Sequence, residues 1–227
     1  MALTRLDSDE RRRAIVQAAV PLFARKGFRG TTTRELAEAA GISEALLFRH
    51  FPSKQSLYQE ILRLGCEGDP ALEKLAALLP SSQTLVCMVR FMVGYFARHR
   101  SGGGPDDLDS RLRLVLHSFL EDGEYARELF ETVCGRVAPL FEASLAAAVA
   151  AGDAEPRPDA PADRFWFAQH VAAMMAFGGL PGRDCFPYQG TLDETIEAAA
   201  HFILRGIGMT DAAIAAAAAT EQLLAAN

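Results

Sequence analysis

TTTRELAEAAGISEALLFRHF, residues 31–51, is the stretch that decides the fold of this chain, because it predicts two short helices around one tight turn. Thr32 caps the first helix, and Glu35, three residues later, completes a capping box. Gly41 ends that helix in a left-handed conformation, and Ser43 caps the second. This spacing predicts a helix-turn-helix.

The second helix of this motif has one inward face and one outward face. Leu47 and Phe51 are spaced to pack inward, whereas Ser43 to Leu46 face outward at the helix start. Small and polar residues there allow close approach to a surface. The major groove of duplex DNA admits such a helix, and its first residues then reach the base edges.

The charge of the chain is divided unevenly along its length. The net charge is −6, which by itself argues against a nucleic-acid partner. Residues 1–64 nevertheless carry 11 basic and 7 acidic residues, a net charge of +4, and the remainder carries −10. A basic amino-terminal part suits a protein that presents one end to phosphate.

The flanks of the motif carry a family resemblance. Residues 11–62 contain A-x-x-L-F-x-x-x-G-F, T-T-x-x-E-L-A, A-G-I-S and F-R-H-F-P-S-K in order, and they resemble the DNA-binding domain of the TetR family of transcriptional repressors. The resemblance implies an all-α fold of about nine or ten helices. A three-helix helix-turn-helix domain at 1–64 precedes a helical ligand-binding and dimerisation domain at 65–227.

The resemblance also implies which residues contact DNA. Most lie at the starts of helices, where backbone N–H groups attract phosphate, or on the outer face of the second helix of the motif. They are Thr31, Thr32, Thr33, Arg34, Ser43, Glu44, Ala45, Leu46, Phe48, Arg49, His50 and Lys54.

Several of these positions leave alternatives open. Many relatives carry Lys where this chain has Glu44, which repels phosphate but accepts a hydrogen bond from a cytosine amino group. Phe48 lacks the hydroxyl of the Tyr that is common there. His50 suits either DNA contact or a brace between helices, and the basic run at 11–13 suits either phosphate or solvent.

Composition and motifs exclude other classes of protein. No apolar run of membrane length and no signal region is evident, so we expect a cytoplasmic protein without a membrane partner. The four cysteines lie far apart, which predicts reduced thiols and no metal site. No nucleophile–base pair or phosphate-binding loop is evident, so we expect neither an enzyme nor a cofactor.

Two late helices indicate self-association. The helix at about 163–178 is apolar on every face, and the helix at about 191–207 opens with a capping box formed by Thr191 and Glu194. Two such helices fit a four-helix bundle across a two-fold axis, which predicts a homodimer. The alternative is that both helices form the inner core of a monomer.

An apolar cavity between helices of the domain at 65–227 is the expected site for a small apolar or amphipathic effector. Candidates to line it are aromatic or polar residues on helices expected to converge. They are Phe91, Tyr95, His117, Phe130, Trp166 and His170.

The sequence therefore predicts a homodimeric repressor that a small molecule releases from a palindromic DNA operator. The alternative is a repressor that acts constitutively or is controlled by a protein partner.

Overall fold

The regular structure of the chain is helical. The computed structural model describes residues 7–66, 70–98, 108–180 and 185–217, and within these ranges the backbone forms no strand. The predicted all-α fold is confirmed, and residues 211–217 add a short helix after ten helical segments. Those segments are α1 (Ser8–Gly30), α2 (Thr33–Ala39), α3 (Glu44–His50), α4 (Lys54–Cys66), α5 (Pro70–Ala76), α6 (Ser82–Arg98), α7 (Leu108–Leu120), α8 (Glu124–Ala151), α9 (Pro161–Phe177) and α10 (Leu192–Gly206).

The helix starts are set by side-chain caps, as the sequence predicts. Thr32 and Glu35 form a reciprocal capping box on α2, and Thr191 and Glu194 form another on α10. The Ser43 hydroxyl accepts a hydrogen bond from the N–H of Leu46 at the start of α3. Each cap satisfies a backbone donor that the helix itself leaves unpaired.

Helices α2 and α3 have seven residues each, about two turns. Isolated helices of this length are not stable in water, so tertiary packing must hold them. Phe23 of α1 is fully buried, and Leu36 and Leu47 are almost so. Each such side chain contributes about 1.5–3 kcal/mol by leaving water.

The two compact units of the structure differ from the predicted division at residues 64 and 65. Helices α1 to α4, α7 and residues 124–132 of α8 form the first unit, and α5, α6, α9, α10 and the rest of α8 form the second. Helix α7 packs along α1. The sequence pattern marks the end of α4, but it contains no signal that α7 returns to the amino-terminal helices.

Helix α6 forms the centre of the second unit, where it packs against both α9 and α10. Leu85, Val86, Val89 and Val93 of α6 are completely buried. Helix α5 was not predicted, although Pro70 at its first position is a recognised start signal.

Helix α8 has the length and composition to cross a membrane, although the sequence was expected to contain no such segment. In the second unit, however, its Phe141 and Leu145 are buried. The Phe141 ring packs edge-on against Phe165 of α9, with centroids 5.5 Å apart. These apolar residues therefore have packing partners inside the protein.

Gly27 ends the regular part of α1 with φ at 70°. A Cβ atom there would lie 2.6 Å from Oε1 of Glu121 and 3.0 Å from Nδ1 of His117, whereas a Cβ at Gly41, where φ is 65°, would meet nothing within 4 Å. We expect Gly41→Ala to lower the free energy of unfolding by about 1–2 kcal/mol through backbone strain alone. Gly27→Ala should lower it by about 2–5 kcal/mol, since a clash is added.

Urea denaturation of both variants measures this difference. Equal losses would mean that Glu121 and His117 move aside at no cost, which would contradict the added steric clash predicted for Gly27→Ala.

Candidate nucleic-acid interface

The start of α3 forms an exposed surface. Ser43, Glu44 and Ala45 are exposed, Leu46 is half-buried, and Arg49 is exposed one turn later. Phe48 shows 44% of its surface to solvent, a large value for an aromatic side chain. The opposite face of the helix is anchored by the buried Leu47. Small or polar side chains therefore precede a cation and an aromatic ring on the outer side of α3.

A hydrogen bond joins the starts of α2 and α3. The Thr33 hydroxyl donates to Oε2 of Glu44 over 2.8 Å. This contact orients the carboxylate and places Thr33 beside the outer surface of α3. Thr32 and Arg34 are exposed on the same short helix start, where Arg34 also pairs with Glu38 over 2.9 Å.

Arg12 of α1 holds the carboxyl end of α3. Its guanidinium donates to the backbone carbonyl of His50 over 2.5 Å and lies 4.3 Å from the ring centre of Phe51. The same guanidinium pairs with Glu60 of α4 over 3.4 Å. A cation at this end of a helix satisfies an unpaired carbonyl and complements the helix dipole. Arg12 is therefore a structural brace, whereas the neighbouring Arg13 is exposed.

Lys54 holds the carboxyl end of α1. Its ammonium donates to the carbonyls of Phe28 (2.7 Å) and Thr31 (2.9 Å) and lies 4.2 Å from the Phe28 ring centre. Burial lowers the pKa of Lys54 below its usual value. Lys54 therefore has a structural role that the sequence did not indicate, and its phosphate contact stays a prediction.

Thr31, one of the residues predicted to contact DNA, has its side chain inside the fold. Thr31 is 1% exposed, and its hydroxyl donates to the Gly27 carbonyl over 2.8 Å. That bond closes the end of α1, so the hydroxyl does not lie on the outer surface.

His50 is half-buried at the end of α3. Burial, followed by the positive charges of Arg49, Arg12 and Arg11, holds the pKa of His50 below its usual value. The imidazole therefore stays neutral near pH 7 in the free protein. The brace between α3 and α1 passes through its backbone carbonyl.

The six residues predicted to line an effector pocket are divided between the two units. His117 and Phe130 belong to the first unit, and the other four belong to the second. The Phe130 ring lies against Phe119, with centroids 6.2 Å apart. In two further ring pairs, both residues lie on successive turns of the same helix. They are Phe91 with Tyr95 on α6 (5.8 Å) and Trp166 with His170 on α9 (6.1 Å).

The fold and this surface define a helix-turn-helix protein with a helical body. Residues 15–61 match the family model described as bacterial regulatory proteins, tetR family. The match covers the helix-turn-helix and most of the two helices that flank it, and similar folds extend along most of the chain. Residues 15–61 of the chain therefore resemble the amino-terminal domain of the tetR family.

Two named relatives each match 53 residues of the chain. The chain is 49% identical over 53 residues to the HTH-type transcriptional repressor KstR2 of Rhodococcus jostii, which is 23% of this chain and 26% of the relative. It is 43% identical over 53 residues to the HTH-type transcriptional regulator RutR of Escherichia coli K12, which is 23% and 25%. The match therefore spans about a quarter of each relative.

Solved structures share the fold over nearly the whole chain. A regulatory protein of the tetR family from Rhodococcus RHA1 has a TM-score of 0.65 at 20% identity, covering 89% of this chain and 99% of that one. AibR in complex with isovaleryl coenzyme A and operator DNA has a TM-score of 0.61 at 22% identity, covering 86% and 97%. At these identities the similarity establishes the fold alone.

The brace formed by Arg12 can be tested by stability. We expect Arg12→Ala to lower the free energy of unfolding by about 1–3 kcal/mol, because it removes a charge-assisted hydrogen bond and a cation–π contact. Arg13→Ala is the matched control, and we expect it to stay within about 0.5 kcal/mol of the wild type. Equal values for the two variants in urea denaturation would contradict the brace.

Proposed function

We propose that this protein is a DNA-binding transcriptional repressor that reads its operator with the start of α3. One observation carries the proposal: Ser43, Glu44 and Ala45 are exposed at the start of α3. The inner face of this helix is anchored by the buried Leu47, and its carboxyl end is held by Arg12. A rigid helix with small side chains at its start fits the major groove. Among the relatives, KstR2 is named a repressor.

The proposed contacts divide by role. Arg49, exposed on α3, pairs with backbone phosphate, and exposed Thr32 and Arg34 do so at the start of α2. Glu44, oriented by Thr33, accepts a hydrogen bond from a cytosine amino group. Ser43, Ala45, Leu46 and Phe48 fill the groove. A regulator of this kind works on the chromosome, so we place it in the cytoplasm, and the names of its relatives favour a regulator over an enzyme.

We propose that the protein binds DNA as a homodimer through α9 and α10. Phe167, Val171 and Met174 recur at i, i+4 and i+7 on α9, so they share one face, and they are 62%, 36% and 51% exposed. Phe202 on the adjacent α10 is 68% exposed. The opposite face of α9 is buried. A single chain therefore leaves one apolar face of this helix pair uncovered, which favours a dimer over a monomer core.

A small-molecule effector that binds better to the form unable to bind DNA would release the repressor. AibR has been solved with both isovaleryl coenzyme A and operator DNA, which supports an effector for this fold. The second candidate is a constitutive or partner-controlled repressor. Thermal melting against a compound library separates the two, because a true ligand raises the melting temperature.

The DNA proposal is tested with Arg49→Ala on duplexes that the wild type selects from a random pool. We expect Arg49→Ala to bind these duplexes more weakly. The slope of the logarithm of the binding constant against the logarithm of the salt concentration should become shallower by about one per arginine removed, or about two per dimer. Arg127→Ala is the matched control, because Arg127 is exposed on α8 and pairs with Glu131 over 2.9 Å. An unchanged slope for Arg49→Ala, or failure of the wild type to select any duplex, would overturn the proposal.

The dimer proposal is tested with Phe202→Glu in sedimentation experiments. We expect the dissociation constant of the dimer to rise by about 100-fold or more, since the two-fold axis places the charge in the interface twice. Leu120→Glu is the matched control, because Leu120 is 84% exposed in the first unit and lies outside the proposed interface. Dimers of equal strength in both variants would contradict the assignment of α9 and α10.

A further inference from the structure

One side chain of α2 and one of α3 are joined on the candidate DNA-binding surface. The Thr33 hydroxyl donates a hydrogen bond to Oε2 of Glu44 over 2.8 Å. Glu44 is exposed, whereas Thr33 is half-buried. A carboxylate and a phosphate repel each other. An acid held in a fixed position on this surface therefore opposes DNA binding unless a group on the DNA donates a hydrogen bond to it.

The charge of Glu44 is not neutralised by a neighbouring cation. Among the residues that the structure describes, no basic side chain forms an ion pair with Glu44. Arg34 is directed instead to Glu38, over 2.9 Å. The pKa of Arg34 is raised first by this hydrogen bond, and the charge of Glu44 has a smaller effect. The carboxylate of Glu44 is therefore available to a partner outside the protein.

Thr33 is a rigid donor for this carboxylate. Its side chain is β-branched, which restricts rotation about χ1. It also lies next to Thr32, whose capping box with Glu35 fixes the first turn of α2. A free glutamate side chain has several rotamers, and ordering it costs entropy. Because Thr33 orders Glu44 in the free protein, DNA binding does not have to provide that ordering.

The second oxygen of the Glu44 carboxylate remains open. A carboxylate accepts hydrogen bonds at both of its oxygens. Thr33 occupies Oε2, and no group in the described part of the chain donates to Oε1. The bond to Thr33 limits where Oε1 can lie, so one acceptor is presented in a defined place on the outer side of α3.

The base edges in the major groove differ in what they offer to such an acceptor. Guanine presents two acceptors, and thymine presents an acceptor and a methyl group, so both disfavour a carboxylate. Adenine presents an amino group beside the acceptor N7. Cytosine presents an amino group with no acceptor on the same base edge. A fixed carboxylate oxygen therefore favours cytosine over the other three bases.

We propose that Thr33 and Glu44 form a selectivity pair, which admits a duplex with cytosine opposite Glu44 and rejects a duplex with another base there. Oε1 of Glu44 accepts a hydrogen bond from the cytosine amino group. Thr33 is a positioning residue, because it acts by holding Oε2 and contacts no base itself. This inference rests on the proposed repressor function.

The probe is the duplex that the wild type selects from a random pool. The cytosine to be tested is the one that the wild type requires and Glu44→Ala does not. Replacing it by 2-pyrimidinone removes only the 4-amino group. We expect this change to weaken wild-type binding by about five- to twentyfold, and binding by Glu44→Ala by no more than about twofold. Any weakening of the base pair itself affects all variants equally.

Glu38→Gln is the matched control for the removal of a carboxylate. Glu38 is also exposed on α2, and it pairs with Arg34. Its loss frees a cation and should raise affinity for all duplexes. We expect the ratio of affinities for the duplexes with and without the amino group to stay at the wild-type value.

Two variants of Thr33 test its positioning role. Thr33→Val keeps the shape of the side chain and removes the hydroxyl, whereas Thr33→Ser keeps the hydroxyl. We expect Thr33→Val to reduce the response to the missing amino group by at least about threefold, and Thr33→Ser to retain it. A merely structural role would weaken binding to all duplexes alike and would leave the response unchanged.

Equal responses of the wild type and Glu44→Ala to the missing amino group would overturn the inference. So would equal responses of the wild type and Thr33→Val, or a selected duplex in which Glu44→Ala relaxes no cytosine. These results leave the repressor proposal intact, because the wild type still selects a duplex. Failure of the wild type to select any duplex would overturn both.

Discussion

The capping of short helices by basic side chains is the interaction on which the candidate DNA-binding surface depends. Helices α2 and α3 are too short to be stable alone, and the inner face of α3 buries only Leu47 within its seven residues. Arg12 holds the carboxyl end of α3, while Lys54 and the Thr31 hydroxyl close the end of α1. Each cation satisfies carbonyls that a helix end leaves unpaired.

These braces change how the basic charge of the amino-terminal part is understood. A count of +4 over residues 1–64 predicts an affinity for phosphate, but Arg12 and Lys54 are engaged with the protein itself. The exposed cations at the surface of α2 and α3 are Arg34 and Arg49, and Arg34 is partly offset by Glu38. Under the proposed function, affinity for DNA rests on few charges per chain, which is consistent with the proposed dimer.

Local chemistry in the sequence determined the helix-turn-helix, since the Thr32 and Ser43 caps act on backbone groups three residues away. Helical periodicity likewise predicted α9 and α10 within a few residues. Tertiary structure alone decided the return of α7 to α1, the burial of Thr31 and the grouping of Tyr58 with Tyr125, because these contacts join residues far apart in the chain. Spacing along one helix determines a face, but not which faces meet.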